Sequence, residues 1–152
     1  MKKIILLLVT FSFLGCSTIK LPNYVKDKNP YKKTFYSDFE KTLPAVKAAL
    51  QQTGWKLVSE AHPSIYEIGG QVSESLGSSE TILFTDTRVF GFFLGTSFYK
   101  INVYLRSVDK NSTDIEIRYI KVTSILFKNF ESYKKDSLAK KLFNKIEMKI
   151  NE

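Results

Sequence analysis

Two neighbouring segments alternate apolar and polar residues over enough length to define a β-hairpin. Tyr99 begins the first segment, in which every second residue to position 105 is apolar, and the second covers residues 114–122. Such a period of two is typical of strands with one buried and one wet face. A three-residue turn at 109–111, with Asn111 in the left-handed conformation, sets the register. The predicted pairs are Leu105 with Ile115, Val103 with Ile117, Ile101 with Tyr119, and Arg106 with Asp114.

Helical periodicity brackets this hairpin on both sides. After a short strand at Phe35 and Tyr36, Ser37 and Glu40 form a capping box, and Gly54 ends the helix. The apolar face is Phe39, Leu43, Val46 and Leu50, and Pro44 predicts a kink or a start nearer Thr42. A second amphipathic helix runs from about Glu131 to Ile150 through Leu138, Leu142 and Ile146.

The remaining strands are shorter. A strand over residues 55–60 is expected to form a hairpin with a strand over 65–68, and residues 80–85 form another strand after a mobile loop at 69–79. The elements predict an α+β fold, with an antiparallel sheet of about five strands and both helices packed on one face. Residues 34–152 then form a single domain.

The segment from Val89 to Leu94 holds five large apolar side chains around Gly91. One interpretation is a buried strand or bulge that completes the core. The other is an exposed apolar loop tip that contacts a partner or a membrane through Phe90, Phe92, Phe93 and Leu94.

The first residues are typical of an export signal. Lys2 and Lys3 precede an apolar stretch from Ile4 to Leu14, which as a helix would span about 16 Å, too short for a stable membrane span. An ordinary signal peptidase prefers small residues where bulky Phe13 stands. Two interpretations of this segment are a secretory signal with an incidental cysteine and an uncleaved membrane anchor.

The motif Phe13-Leu14-Gly15-Cys16 resembles a bacterial lipobox. The resemblance implies that residues 1–15 are a signal peptide, that Cys16 becomes the acylated N-terminus, and that the mature chain carries three acyl chains. Ser17 after the cysteine resembles lipoproteins that are exported to the outer membrane, facing the periplasm. Residues 16–33 hold several lysines, two prolines and no periodicity, which predicts a flexible tether that holds the domain close to the membrane.

Composition argues against several kinds of chemistry. One cysteine and one histidine, His62, cannot build the usual zinc site, so no metal and no cofactor is expected. A catalytic triad would need His62, and Glu74, Glu80 and Asp86 are scattered acids, so no catalytic residue is assigned and the chain is not expected to be an enzyme. The net charge is +8, but the lysines of the last helix are expected to form a solvated face, so no nucleic-acid partner is expected.

The stretch from Phe35 to Glu40 and the Gly54-Trp55-Lys56-Leu57 exit resemble the opening of helix-grip envelope lipoprotein domains, of the kind found in the BamC accessory subunit of outer-membrane assembly. The resemblance implies a noncatalytic interaction domain. The first functional hypothesis is therefore a membrane-anchored accessory protein with an envelope protein partner. The second is a lipid or small-molecule binder with a cavity between the sheet and the C-terminal helix.

Overall fold

The structure, a computed structural model, describes residues 19–66, 79–126 and 128–152. The predicted signal peptide, Cys16 and nearly all of the predicted loop at 69–79 lie outside the described residues. The described chain forms an antiparallel sheet and two α-helices. This agrees with the α+β prediction, but the sheet has 7 strands rather than about five.

The sheet has a five-stranded body, and two of its strands continue beyond that body. The strands are β1 (Tyr31–Phe35), β2 (Leu57–Ala61), β3 (Glu80–Thr85), β4 (Arg88–Phe92), β5 (Gly95–Asp109), β6 (Ser112–Ile125) and β7 (Lys128–Ser132). The body has the order β1-β6-β5-β3-β2. Strand β4 pairs with the first residues of β5, and β7 pairs with the last residues of β6. The β5–β6 hairpin therefore runs through both the body of the sheet and its extension.

The register predicted for this hairpin is confirmed. Leu105 pairs with Ile115, Val103 with Ile117, Ile101 with Tyr119 and Arg106 with Asp114. The turn is different from the prediction, because Asp109 pairs directly with Ser112 and the irregularity falls between Ser107 and Asp109. Asn111 was predicted to be left-handed, which is wrong, since Leu126 is the non-glycine residue with positive φ among the described positions.

Two helices cover one face of the sheet body. Helix α1 (Phe39–Gln52) begins one residue later than the predicted cap at Ser37 implies and does not start near Thr42; Pro44 lies inside it, and the left-handed Gly54 follows its end. Its cap is Asp38, whose carboxylate accepts a hydrogen bond from the Lys41 amide at 2.7 Å, rather than Ser37. Helix α2 (Asp136–Ile150) is shorter than predicted, because residues 128–132 form β7. The apolar period that predicted this helix starts only at Leu138.

The main core lies between the helices and the sheet. It consists of the alternating residues of β5 and β6 together with the buried faces of both helices, such as Val46, Leu50, Leu142 and Ile146. Apolar residues that alternate along a strand reach one face only, which is why both helices share that face. In the part of the chain that the structure describes, no helix is long and apolar enough to cross a membrane.

The opposite face of the sheet is covered by the N-terminal segment, residues 19–30. Val25 is fully buried there with Ile120 and Val122, and Ile19 and Leu21 pack against them. The prediction of a flexible tether is therefore wrong from Ile19 onward, and β1 already begins at Tyr31. Isolated apolar residues between lysines and prolines carry no period, so the sequence pattern could not reveal this packing.

The predicted hairpin at 55–68 is also wrong in its second strand. Strand β2 pairs with β3, and residues Pro63–Ile65 form a short 3-10 helix, while Glu67 and Ile68 lie outside the described residues. Strand β3 has the predicted bounds. The Trp55 end of the predicted first strand is absent, since β2 begins at Leu57.

Candidate functional site

The sheet continues beyond the helices as a four-stranded extension. It comprises residues 88–99 and 121–132, in the order β4-β5-β6-β7. The turn between β4 and β5 lies beside the turn between β6 and β7, because Gly95 pairs with Ile125. The two turns form one end of the molecule, and the turn at 110–111 forms the other.

This extension carries most of the exposed apolar side chains. Of the twelve large hydrophobic residues that are exposed among the described positions, seven lie here, and we call them the apolar tip. The apolar tip is Val89, Phe90, Phe92, Phe93, Leu94, Leu126 and Phe130. Phe93 is 100% exposed and Leu94 54%. Single apolar residues are scattered over ordinary protein surfaces, whereas concentrated exposure of this kind is typical of interaction sites.

The two interpretations of Val89 to Leu94 are each right in part. The segment forms a strand and a turn, as the first requires, but its side chains are exposed, as the second requires. The physical reason is the length of the helices. Helix α2 begins at Asp136 and lies over the sheet body. On that face of the sheet, none of the described helices extends over the strands of the extension.

Apolar side chains lie on both faces of the extension. Because side chains alternate along a strand, Phe90 and Phe92 share one face and Val89 lies on the other. Ser97 and Thr123 are paired between Phe90 and Phe130, with their hydroxyl oxygens 3.0 Å apart. The extension therefore has an apolar end instead of a single apolar side.

Glycine is required where the two hairpins meet. A Cβ built on Gly95 would lie 1.9 Å from the carbonyl oxygen of Ser124, which is far inside van der Waals contact. Gly91 has open space, with no heavy atom within 4 Å of the equivalent position. Gly95 thus permits the close strand approach that forms the apolar tip.

Basic residues lie at the base of the extension. Arg88 and Lys121 pair with opposite sides of Tyr99 in one row across the sheet. The ammonium nitrogens of Lys121 and Lys135 are 5.6 Å and 5.5 Å from the Tyr99 ring centroid. Lys20 lies on the other face, where it lines a hollow with Val89. The apolar tip is therefore bordered by positive charge on both faces.

A pocket of about 340 Å³ opens between the base of the extension and the start of α2. Its lining is Trp55, Arg88, Val89, Phe90, Tyr99, Tyr119, Lys135 and Leu138. Trp55 is 3% exposed, and its indole Nε1 has no hydrogen-bond partner among the described residues. The Arg88 guanidinium lies 4.8 Å from the centroid of the Trp55 ring. The pocket combines an aromatic interior with a cationic rim.

Electrostatics differ sharply between the interior of this pocket and its rim. Burial, with smaller contributions from Tyr99 and Tyr31, raises the pKa of the Tyr119 phenol to about 12. Tyr119 is therefore a neutral hydroxyl at physiological pH. The charged groups stay at the solvent-exposed edge of the pocket, where water solvates them.

A row of buried polar residues under the N-terminal segment was not predicted from the sequence. The Asn102 carboxamide oxygen accepts a hydrogen bond from the Val25 amide at 2.7 Å, and the Lys100 ammonium donates to Asn23 at 3.0 Å. Burial lowers the pKa of Lys100, and the nearby Asp86 carboxylate opposes this. Lys100 and Asn102 occupy polar positions of β5 that were predicted to face water. They could have been predicted to be buried only if the N-terminal segment had been expected to cover that face of the sheet.

The other residues considered for chemistry are not brought together. His62 is exposed and caps the 3-10 helix, with its Nδ1 2.8 Å from the Ser64 hydroxyl. Glu80 begins β3 and Asp86 follows its end, so they are separated by the length of the strand, roughly 20 Å. Glu74, like Cys16, lies outside the described residues. Within the described ranges, no group of three or more His, Cys, Asp or Glu side chains could hold a metal ion.

The fold and its exposed end define an α+β protein in which a hairpin extension projects beyond a helix-covered sheet. Comparison of the chain with protein-family models, curated proteins and solved structures gives no match.

Proposed function

We propose that this protein is a bacterial lipoprotein that is anchored through Cys16 in the cell envelope and acts as a noncatalytic interaction or accessory domain. The observation that carries the proposal is the apolar tip. Soluble monomeric domains rarely expose apolar side chains in such a concentrated group. The lipobox-like motif supplies the anchor, and Ser17 favours the outer membrane, facing the periplasm. The helix-covered sheet is compatible with a helix-grip-like accessory domain.

Because the N-terminal segment packs on the sheet, the connection between the anchor and the domain is shorter than the predicted tether. Ile19 packs against the sheet, so only Ser17 and Thr18 separate it from Cys16. Three residue steps reach at most about 11 Å. Acylation of Cys16 would therefore hold the domain against the bilayer, and several acyl chains would make the attachment durable, since each buried methylene contributes about 0.8 kcal/mol.

Acyl labelling tests this proposal. Cells that express the full chain and its Cys16→Ala variant are grown with a clickable palmitate analogue, and membranes are partitioned into detergent and aqueous phases. We expect label and detergent-phase recovery for the natural chain and loss of both for the variant. Equal partitioning of both chains, without label, would contradict the proposal.

A second candidate function is binding of a small amphiphile in the pocket beside Trp55. The observation in its favour is an aromatic interior that holds an unpartnered indole N–H beneath Arg88 and Lys135. A ligand with an apolar chain and an anionic group would satisfy both parts, and the volume falls near the lower end of ligand pockets, roughly 300 to 1,000 Å³.

Trp55 provides a direct test of this second candidate because it is the single tryptophan of the chain. Long-chain carboxylates, added below their micelle concentration, should change Trp55 emission in a saturable way. Arg88→Gln should weaken binding at least about tenfold, as expected for loss of a charge-assisted hydrogen bond. Arg106→Gln, at the far end of β5, is the matched control. A response that never saturates, or equal affinities for both variants, would exclude the pocket.

A further inference from the structure

The shape of the apolar tip distinguishes between two kinds of partner. A protein partner that adds a strand to a sheet contacts the edge of that sheet, and one that packs on a sheet contacts one of its faces. Here Val89 is exposed on one face, Phe90, Phe92 and Phe130 on the other, and Phe93 and Leu94 at the turn. An apolar medium that surrounds the end of the extension satisfies the turn residues and Phe90, Phe92 and Phe130 together, and Val89 lies at its boundary.

The start of the described chain lies at the same end of the molecule. Ile19, Lys20 and Leu21 line a hollow of about 590 Å³ with Thr87, Val89, Phe98 and Lys100, on the face of β4 and β5 opposite the helices. Val89 is four residues from Phe93 along the strand and turn, a distance of about 13 Å. Cys16 is three residues from Ile19, so its acyl chains would enter a bilayer beside the apolar tip.

The charges of the extension favour an anionic lipid surface. Residues 88–99 contain Arg88 and no acidic residue, and residues 121–132 contain Lys121 and Lys128 against Glu131. The row of Arg88 and Lys121 lies four residues from Gly95, or about 14 Å from the turn. When apolar residues enter an interface by about 5 to 10 Å, this row lies at the level of the phosphates.

We infer that the apolar tip inserts into the membrane that holds the Cys16 anchor, which fixes the long axis of β5 steeply to the bilayer and points the turn at 110–111 into the aqueous space. This inference rests on the proposed function, because the anchor supplies the bilayer. Its partner is a lipid surface that contains anionic headgroups.

Fluorescence at the two ends of β5 tests the insertion. The full chain is processed in cells and reconstituted into vesicles of phosphatidylethanolamine and phosphatidylglycerol as Phe93→Cys or Lys110→Cys, each labelled with an environment-sensitive fluorophore. Phe93 is fully exposed, so its replacement removes no packing. The two sites are separated by roughly 45 Å along β5. We expect several-fold stronger quenching by spin-labelled lipid at position 93 than at 110, with a blue-shifted emission at 93 only.

A variant of the turn and the following outcomes decide the inference. A Phe93→Cys, Phe92→Ser, Leu94→Ser variant should lose most of the quenching at 93 and still remain in the membrane through its anchor. Equal quenching at 93 and 110, or a photo-crosslinker at 93 that captures protein instead of lipid, would overturn the inference and leave the proposed function intact. Labelling of the Cys16 thiol itself, found by peptide mapping, would instead overturn the proposed function.

Discussion

Two glycines of the extension have opposite steric surroundings, although they stand only four residues apart. Gly95→Ala places a methyl group on the Ser124 carbonyl oxygen, whereas Gly91→Ala places one in open space. We expect Gly95→Ala to lower the free energy of unfolding by about 2 kcal/mol or more, and Gly91→Ala to change it by less than about 0.5 kcal/mol. Urea unfolding of the two variants measures this, and equal midpoints would show that the hairpins do not approach as described.

Tyr119 predicts a specific pH dependence. Its phenol has a pKa of about 12 in the folded chain against an ordinary value of 10.0. A pKa raised by folding means that the neutral phenol contributes stability below pH 10, and that this contribution is lost as the pH rises from about 10 to 12.

Tyr119→Phe should therefore lose less stability than the natural chain across that alkaline window. Urea midpoints measured at neutral pH and through the alkaline range test this, and Tyr36→Phe is the control, because Tyr36 is 93% exposed. Parallel pH profiles for the natural chain and Tyr119→Phe would show that this phenol ionises as an exposed one does.

At the scale of elements, a buried hydrogen bond from the Val25 amide to Asn102 helps to hold the N-terminal segment on the sheet. Asn102→Ala leaves the Val25 amide without its acceptor in a site where Asn102 is 0% exposed. The expected cost is about 1 to 3 kcal/mol, with earlier tryptic cleavage at Lys20, Lys26 and Lys28 than in the natural chain. Asn111→Ala, at the exposed turn, is the control. Unchanged cleavage in Asn102→Ala would show that the segment is held by other contacts.

The elements differ in how well their sequence predicts them. The β5–β6 hairpin and its register were predictable because a strict period of two fixes which residues face the core. Strand β7 and the N-terminal segment were not, since neither has a period, and the packing of Val25 depends on a surface formed by residues almost a hundred positions away. The same limit applies to the apolar tip: its apolar composition was visible, but its exposure follows from where the helices end.

At the scale of the whole molecule, the features of the extension share one direction. The apolar tip, the bordering basic residues and the start of the described chain all lie at one end of the β5–β6 hairpin. A protein that is held at its N-terminus and contacts the bilayer with its tip would present the turn at 110–111 and the far end of the sheet to the periplasm. Partners in the envelope would then meet that opposite end.

The proposed attachment to the membrane requires Cys16 to be the acylated first residue of the mature protein. Mass spectrometry of the N-terminal peptide, taken from protein extracted from its native membrane, tests this requirement. We expect a peptide that begins at Cys16 and carries the added mass of acyl chains. A mature chain that begins at any other residue, or one in which Cys16 has an unmodified thiol, would contradict it.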